Sequence, residues 1–373
     1  MDRTQAPAFK QVEHISLLNA QQYPLDNGIP LFFIDAGEQD LVRIEFIFDN
    51  VAWNAASPLQ AFATNALLQE GTSNYTAAQL AEKFDYYGAF LQKDYSYDQS
   101  SVVLYTLNKH LSSVLPLLRE ILTDAIFPQS EIDTFIRNQQ QKLSVSLEKN
   151  DVLARRSFNQ VLFGNTLYGH APVVEEYAQL QRSQLLEYYK KAYQPANCTM
   201  VVSGKVSETT LKSMNATFGN NWEGSTAVDK NEFSFITGTG KTHFLERPDA
   251  LQSALRLGQI AINRTHPDFP ALQVLNTIFG GYFGSRLMAN IREDKGYTYG
   301  IGSGIASLKD AGYFFIASEV GADVCTAAIA EIEKEMKLLR TVLVSEGELA
   351  LVRNYMLGSL LGSLENAFSH ADK

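Results

Sequence analysis

The sequence predicts an α+β fold in which one α/β-sandwich domain occurs twice, with the second copy incomplete at its C-terminal end. Three observations predict it: an order of strands and helices that repeats, a polar segment between the two copies, and a helix and a strand that follow only the first copy. The chain has 373 residues, more than a single hydrophobic core usually serves, so two domains are expected.

The first repeated unit is a strand followed by a helix. A strand-like run at 44–48 precedes a helix-like stretch at 58–68, and 254–262 precedes 270–279 in the same order. In both copies a glycine-containing turn comes next. The two pairs are offset by a little over two hundred residues, which is too long a separation for a short structural repeat and indicates duplication of a whole domain.

Two further pairs follow at the same offset. A strand leading into an amphipathic helix occupies 100–122 in the first copy and 313–336 in the second. Next come two helical patterns, SEIDTFIRNQQQKLSVSLEKN and GELALVRNYMLGSLLGSLENA, with apolar residues at spacings of three and four. Three ordered matches at one offset make duplication a strong inference.

The segment at 219–242 is rich in Gly, Asn, Ser and Thr and is predicted to be a linker between domains at 1–218 and 243–373. The first copy ends with LLEYYKKAYQPANCTMVVSGKV, which predicts a helix followed by a strand at 199–206. By the repeat offset, Lys373 corresponds to a position shortly after Asp151, so the second copy is expected to lack the counterparts of that helix and strand.

The Asn27-Gly28 pair, between YPLD and IPLFFI, predicts a β-hairpin turn near the beginning of the chain. Strands and helices do not alternate strictly within a copy, which argues against a parallel sheet wound with crossover helices. Helices packed on one face of a mainly antiparallel sheet are therefore expected in each domain.

Composition excludes several partners. The formal net charge of −10, without a basic stripe, disfavours nucleic acid. No eighteen apolar residues run together and MDRTQAPAFKQVEH has no apolar core after its charges, so neither a membrane partner nor export is expected and a cytoplasmic location is predicted. Cys198 and Cys325 are read as core residues rather than as a disulfide.

Common hydrolytic motifs are missing from the sequence. The six histidines include no two within one helical turn, so an H-x-x-E-H or H-E-x-x-H helix, which would present two imidazoles to one metal ion, does not occur. A G-x-S-x-G elbow does not occur either, and neither cysteine is next to a histidine in the sequence. The residues alone therefore support neither a zinc, a serine nor a cysteine hydrolase.

The segment SRLMANIREDKGYTYGIGSG offers a different constellation. A helix ending at Arg292 turns through Asp294, Lys295 and Gly296 into a strand, and alternation is expected to place Tyr297 and Tyr299 on one face of it. A guanidinium and a phenol that converge there could donate to a peptide carbonyl as its oxygen becomes negative. The alternative is an arginine in a surface ion pair beside a half-buried tyrosine.

GGYFGSRLMANIREDKGYTYGIGSG closely resembles the second-domain motif of insulinase-type (pitrilysin) zinc peptidases, which are related to the mitochondrial processing peptidase subunits. The spacing from Arg292 to Tyr299 matches the Arg and Tyr pair of that family. LLQEGTSNYTAAQLAEKFDYYGA and YYKKAYQPANCTMVVSGKV resemble its first domain, so the resemblance covers nearly the whole chain. It implies catalytic roles for Arg292 and Tyr299. It also implies substrate-binding roles for Gly280, Gly281, Tyr282 and Tyr297.

The resemblance fails at the zinc motif. Counted back from Gly71-Thr72, the two ligand positions and the general-base position are Phe62, Ala66 and Asn65. None of these side chains can serve, and the stretch around Lys142, where the third ligand is expected, has no carboxylate. The resemblance therefore implies no metal in this chain.

Some bacterial members divide the site between two chains. The resemblance then implies that this chain is the non-zinc subunit, which binds an extended peptide while a homologous partner carries the zinc. The rival interpretation is a catalytically inactive structural or peptide-binding subunit, like the related core proteins of respiratory complexes. A third, less favoured one is an autonomous hydrolase with an unrecognised metal site.

Overall fold

A computed structural model describes residue 4, residues 14–220 and 240–373, and seven residues between these two ranges, namely 222, 224, 230, 231, 233, 234 and 238. The segment 1–14, from which no export is expected, lies outside the described residues except for residues 4 and 14. Part of the predicted linker at 219–242 also lies outside them. The described residues between 220 and 242 contain no helix or strand.

Nine strands form two sheets. In chain order they are β1 (Gln21–Gln22), β2 (Leu31–Asp35), β3 (Leu41–Asp49), β4 (Phe90–Tyr95), β5 (Gln99–Leu107), β6 (Cys198–Gly204), β7 (Gln252–Ala261), β8 (Thr298–Ser307) and β9 (Gly312–Gly321) in the described part of the chain. The first sheet has the order β1-β2-β6-β3-β5-β4, and the second has the order β7-β9-β8. Every pairing is antiparallel except that of β2 with β6.

The helices pack around these sheets. They are α1 (Gln60–Leu67), α2 (Ala77–Tyr86), α3 (Leu111–Asp124), α4 (Gln129–Leu147), α5 (Asn150–Phe163), α6 (Val174–Ala178), α7 (Arg182–Ala192), α8 (Glu208–Met214), α9 (Phe269–Asn276), α10 (Cys325–Thr341), α11 (Glu346–Gly362) and α12 (Ala367–Ala371). Within the described ranges, no helix is both long enough and apolar enough to cross a membrane.

The first core lies on one face of the larger sheet. The alternate residues Val42, Ile44, Phe46 and Phe48 of β3 are fully buried there, beneath side chains of α1, α3 and α7. The predicted hairpin is formed, since β1 pairs with β2 and Gly28 has a φ of +85°, which glycine adopts without strain. The predicted α+β class is confirmed.

A smaller core lies between the second sheet and α10. It contains Leu255 of β7, Ile316 of β9 and Ile332 of α10, all buried, together with Leu287 and Ile291 from the segment between α9 and β8. This segment includes two π-helical turns, Thr277–Gly281 and Met288–Asp294. The predicted site residues lie on this segment and on the strand that follows it.

Two helices connect the sheets. Helix α5 packs against β7 of the second sheet, and α12 packs against β6 and β2 of the first. In the second contact Asp372 lies 3.0 Å from the guanidinium of Arg43 on β3, and Phe368 meets the ring of Tyr105 edge-on. Each of these two helices follows a long helix in the chain, since α5 comes after α4 and α12 comes after α11.

Candidate functional site

Arg292 lies on the π-helical turn Met288–Asp294, with about a third of its side chain (29%) exposed. Its guanidinium carbon is 4.7 Å from the ring centroid of Phe283 and 5.8 Å from that of Tyr299. Glu293 lies 4.0 Å away, which is too long for a hydrogen bond. The guanidinium is therefore positioned by two aromatic rings, a favourable arrangement for a cation.

Tyr299 is the second residue of β8 and is 92% exposed. It lies at a β-bulge, because Thr298 pairs with Val320 whereas Ile301 pairs with Ser318. Two residues of β8, Tyr299 and Gly300, thus oppose only one residue of β9. A bulge of this kind changes the direction of a side chain, and here the phenol points away from the core.

The turn between Arg292 and Tyr299 forms as the sequence predicts. Gly296 has a φ of +66°, and the backbone nitrogen atoms of Lys295 and Tyr297 donate to carbonyl oxygens of the preceding helical turn at 3.0 Å. The predicted convergence of guanidinium and phenol is present. The predicted sharing of a face is wrong, because Tyr297 packs on the second core whereas the bulge turns Tyr299 outward.

The glycine cluster packs on β8. Gly280 is buried, and a Cβ atom there would lie 2.5 Å from Ser303 Oγ and 2.8 Å from its backbone nitrogen, so a larger residue would separate loop and strand. A hydrogen bond also joins β8 to the end of α9, because Ser303 Oγ donates to Asn276 Oδ1 at 2.7 Å. Gly281 is exposed. Of the two glycines, only Gly281 is open to a ligand in this structure.

Tyr282 and Phe283 point to different neighbours. The Tyr282 ring lies 4.7 Å from that of Tyr355 on α11, and burial, together with the nearby Glu348, raises its pKa. Phe283, 64% exposed, stacks on Arg292 instead. Phe283 was missed from the sequence, where it is simply one residue of the glycine cluster. An aromatic residue shortly before Arg292 in the chain is the only signal that could have indicated it.

The positions of the zinc motif are filled by other contacts. The Phe62 ring packs against Tyr95 and Phe135, with centroids 5.4 and 5.7 Å away. Asn65 is buried, with its nitrogen donating to the backbone oxygen of Asp94 at 2.7 Å and its oxygen accepting from the Tyr193 hydroxyl at 3.0 Å. Neither side chain is free to hold a metal ion.

A lysine lies beside these positions of the zinc motif and completes what we call the filled zinc pocket, formed by Phe62, Asn65, Ala66 and Lys93. Lys93 Nζ donates to the backbone oxygen of Ala66 at 2.9 Å and lies 3.5 Å from Glu70, and burial lowers the pKa of the lysine. An ammonium at this place repels a second cation. The residues thus do not fit zinc, and nowhere in the described ranges do three His, Cys, Asp or Glu side chains form a group that could hold a metal ion.

The chain is similar to several known proteins. Residues 179–356 match the family model of the peptidase M16 inactive domain. An uncharacterized zinc protease of Bacillus subtilis, YmxG, is 27% identical over 80% of this chain and 73% of its own length. A Helicobacter pylori protein named a non-peptidase homolog, also YmxG, is 24% identical over 79% of this chain and 68% of its own length.

Solved structures show the same fold. The peptidase M16 inactive domain of Pseudomonas fluorescens superposes with a TM-score of 0.85 at 23% identity, over 93% of this chain and 86% of that chain. Because the identity is low, this likeness supports the architecture rather than an activity. Residues 179–356 are thus similar to the peptidase M16 inactive domain, and the whole chain shares the fold of that domain.

Proposed function

We propose that this chain is the non-zinc, substrate-binding subunit of a heteromeric insulinase-type peptidase, in which Arg292 and Tyr299 stabilise the carbonyl of a peptide cleaved on a partner chain. The observation that carries the proposal is the exposed pair itself. A guanidinium is held between two rings while its neighbouring phenol is 92% exposed. Both groups can donate hydrogen bonds, and about a third of the Arg292 side chain (29%) is exposed.

The pair suits an oxygen that gains negative charge. Hydrogen bonds to an anionic oxygen are roughly twice as strong as those to a neutral one, so the two donors would bind the tetrahedral intermediate more tightly than the substrate carbonyl. Stacking by Phe283 restrains the guanidinium before substrate arrives, which reduces the ordering cost on binding. In such a site each donor contributes about a hundredfold to turnover.

The zinc chemistry has to come from another chain. Zinc polarises a carbonyl and lowers the pKa of its bound water, but Phe62, Asn65 and Ala66 cannot hold it here. The proposed partner is therefore a homologous subunit with an intact H-x-x-E-H motif, and the substrate is an extended peptide. The cytoplasmic location expected from the sequence stays a prediction.

The test measures turnover of a mixed peptide library by this chain, by a zinc-bearing homologue encoded in the same genome, and by the mixture, with zinc determined on each purified chain. We expect activity only in the mixture. Tyr299→Phe should lower its kcat about a hundredfold without changing assembly. Tyr86→Phe, at a tyrosine of α2 that is 82% exposed, serves as the matched control. Undiminished turnover by the Tyr299→Phe mixture would contradict the proposal.

The names of two relatives favour a second candidate, a catalytically inactive structural or peptide-binding subunit. One is called a non-peptidase homolog and another, from Bacillus subtilis, a probable inactive metalloprotease. For such a subunit, Arg292→Ala and Tyr299→Phe would leave every activity of the assembled complex unchanged. A genome without any homologue carrying H-x-x-E-H would also favour this candidate.

A further inference from the structure

The β-bulge beneath Tyr299 is held by two side-chain hydroxyl groups. Thr298 Oγ1 donates to the backbone oxygen of Glu319 at 2.6 Å and accepts from the backbone nitrogen of Gly300 at 3.1 Å. Ser318 Oγ lies 3.0 Å from both Thr298 Oγ1 and the backbone oxygen of Gly300. These hydroxyls hydrogen-bond to backbone groups at the point where the β-ladder is interrupted.

The bulge decides where the phenol points. Tyr297 packs on the second core and Ile301 is buried in it at 5% exposure. In a regular strand Tyr299, midway between them, would face the same core, because side chains alternate. The extra residue reverses that direction and brings the ring to 5.8 Å from the guanidinium of Arg292.

We propose that Thr298 and Ser318 are positioning residues, which set the Tyr299 phenol beside Arg292 by pinning the bulge. The inference rests on the proposed function, since it gives the bulge a role in peptide cleavage. Neither hydroxyl has to touch the substrate. A displacement of about 1 Å in a catalytic group can lower turnover about a hundredfold, so loss of either hydroxyl should act through Tyr299.

The experiment uses the full chain mixed with its zinc-bearing homologue. Thr298→Val keeps the shape of the side chain but removes the hydroxyl, and it should lower kcat about ten- to a hundredfold with little change in KM. Thr298→Ser should restore most of kcat, and Ser318→Ala should have a smaller effect. The matched control is Ser307→Ala, which removes a hydroxyl from the far end of the same strand.

Two readouts separate positioning from a general structural role. In a Tyr299→Phe background, Thr298→Val should cause little further loss of kcat, because the Tyr299 hydroxyl that Thr298→Val would displace is then absent. In the isolated chain, Thr298→Val should speed hydrogen exchange at the Gly300 amide, whereas Thr298→Ser should not. The exchange measurement does not depend on the partner and remains informative if Thr298→Val destabilises the complex.

The outcomes distinguish this inference from the proposed function. If Tyr299→Phe is fully active in the mixture, the proposed function fails and the role of the hydroxyls fails with it. If Tyr299→Phe lowers the kcat of the mixture strongly while Thr298→Val and Ser318→Ala retain full kcat, only the positioning role is overturned. Additive losses from Thr298→Val and Tyr299→Phe would also overturn it.

Discussion

Restoring the zinc motif alone should not restore tight zinc binding, because the third ligand expected near Lys142 is still missing and Lys93 occupies the neighbouring space. The perturbation is the triple substitution Phe62→His, Asn65→Glu and Ala66→His on α1. Lys93 Nζ is bound to the backbone oxygen of Ala66 at 2.9 Å and lies 3.5 Å from Glu70. The ammonium is therefore held against the residue from which the second imidazole would reach a metal.

Zinc can bind beside a charged Lys93 or beside a neutral one. The expected loss of zinc affinity is set by whichever of these two states has the lower free-energy cost. A Zn²⁺ ion at an assumed distance of about 6 Å from a charged lysine is repelled by roughly 5 kcal/mol at an effective dielectric constant of about 20. Alternatively, the lysine is neutralised. From the ordinary lysine pKa of 10.5 this costs about 5 kcal/mol at neutral pH. Burial lowers the Lys93 pKa and so reduces that cost, which makes the loss of zinc affinity at most about 3,000-fold.

The assay is competition for zinc with a chromophoric chelator at neutral pH. The triple variant is compared with the same protein carrying Lys93→Gln in addition, which should bind zinc more tightly, by up to about 3,000-fold. Lys190→Gln, on the exposed side of α7, is the control for loss of a positive charge. Equal zinc affinity of the triple variant with and without Lys93→Gln would refute the reasoning.

Two further predictions concern stability. Glu348→Gln should lower the free energy of unfolding at neutral pH by about 1 kcal/mol, because Arg286 donates to both carboxylate oxygens at 2.8 Å. These bonds lower the folded-state pKa of Glu348 below its usual 4.5, so the stabilisation is present above that value and is lost as the pH falls through the folded-state pKa. Urea unfolding should therefore show a deficit that shrinks on acidification, and a pH-independent deficit would be the contrary result. Tyr193→Phe should lower the free energy of unfolding by about 1–3 kcal/mol, measured by chemical denaturation, because the buried Tyr193 hydroxyl donates to Asn65. The control Tyr86→Phe should change the free energy of unfolding by no more than about 0.5 kcal/mol.

The sequence predicts the strands and helices well where the pattern is local. The apolar run at 44–48 lies within β3, and the helix-like stretch at 58–68 contains α1. Alternation and helical spacing are properties of neighbouring residues, so they can be read without knowledge of the fold. The ends of elements differ by a few residues, because capping and tertiary contacts decide where each one stops.

Contacts between distant elements could not be predicted in the same way. Asn65 is recognisable as a residue unable to act as a base, yet its bond to Tyr193, 128 positions later, depends on how α7 packs against α1. Likewise, nothing in the sequence around Lys93 indicates that its ammonium lies beside the zinc-motif positions. Such contacts depend on the assembled fold, whereas the loss of the ligands is visible in the sequence itself.

The contrast between the filled zinc pocket and the exposed pair bears on which function the chain retains. Regular alternation would bury Tyr299 with Tyr297, and burying such a side chain stabilises a protein by about 1.5–3 kcal/mol. The bulge forgoes that stabilisation and leaves Tyr299 at 92% exposure beside Arg292. At the zinc-motif positions, by contrast, Phe62 packs against neighbouring aromatic rings and Asn65 is hydrogen-bonded to Tyr193. A pure scaffold gains nothing from an outward-facing phenol, so the bulge favours a subunit that binds a peptide carbonyl over one that only supports a complex.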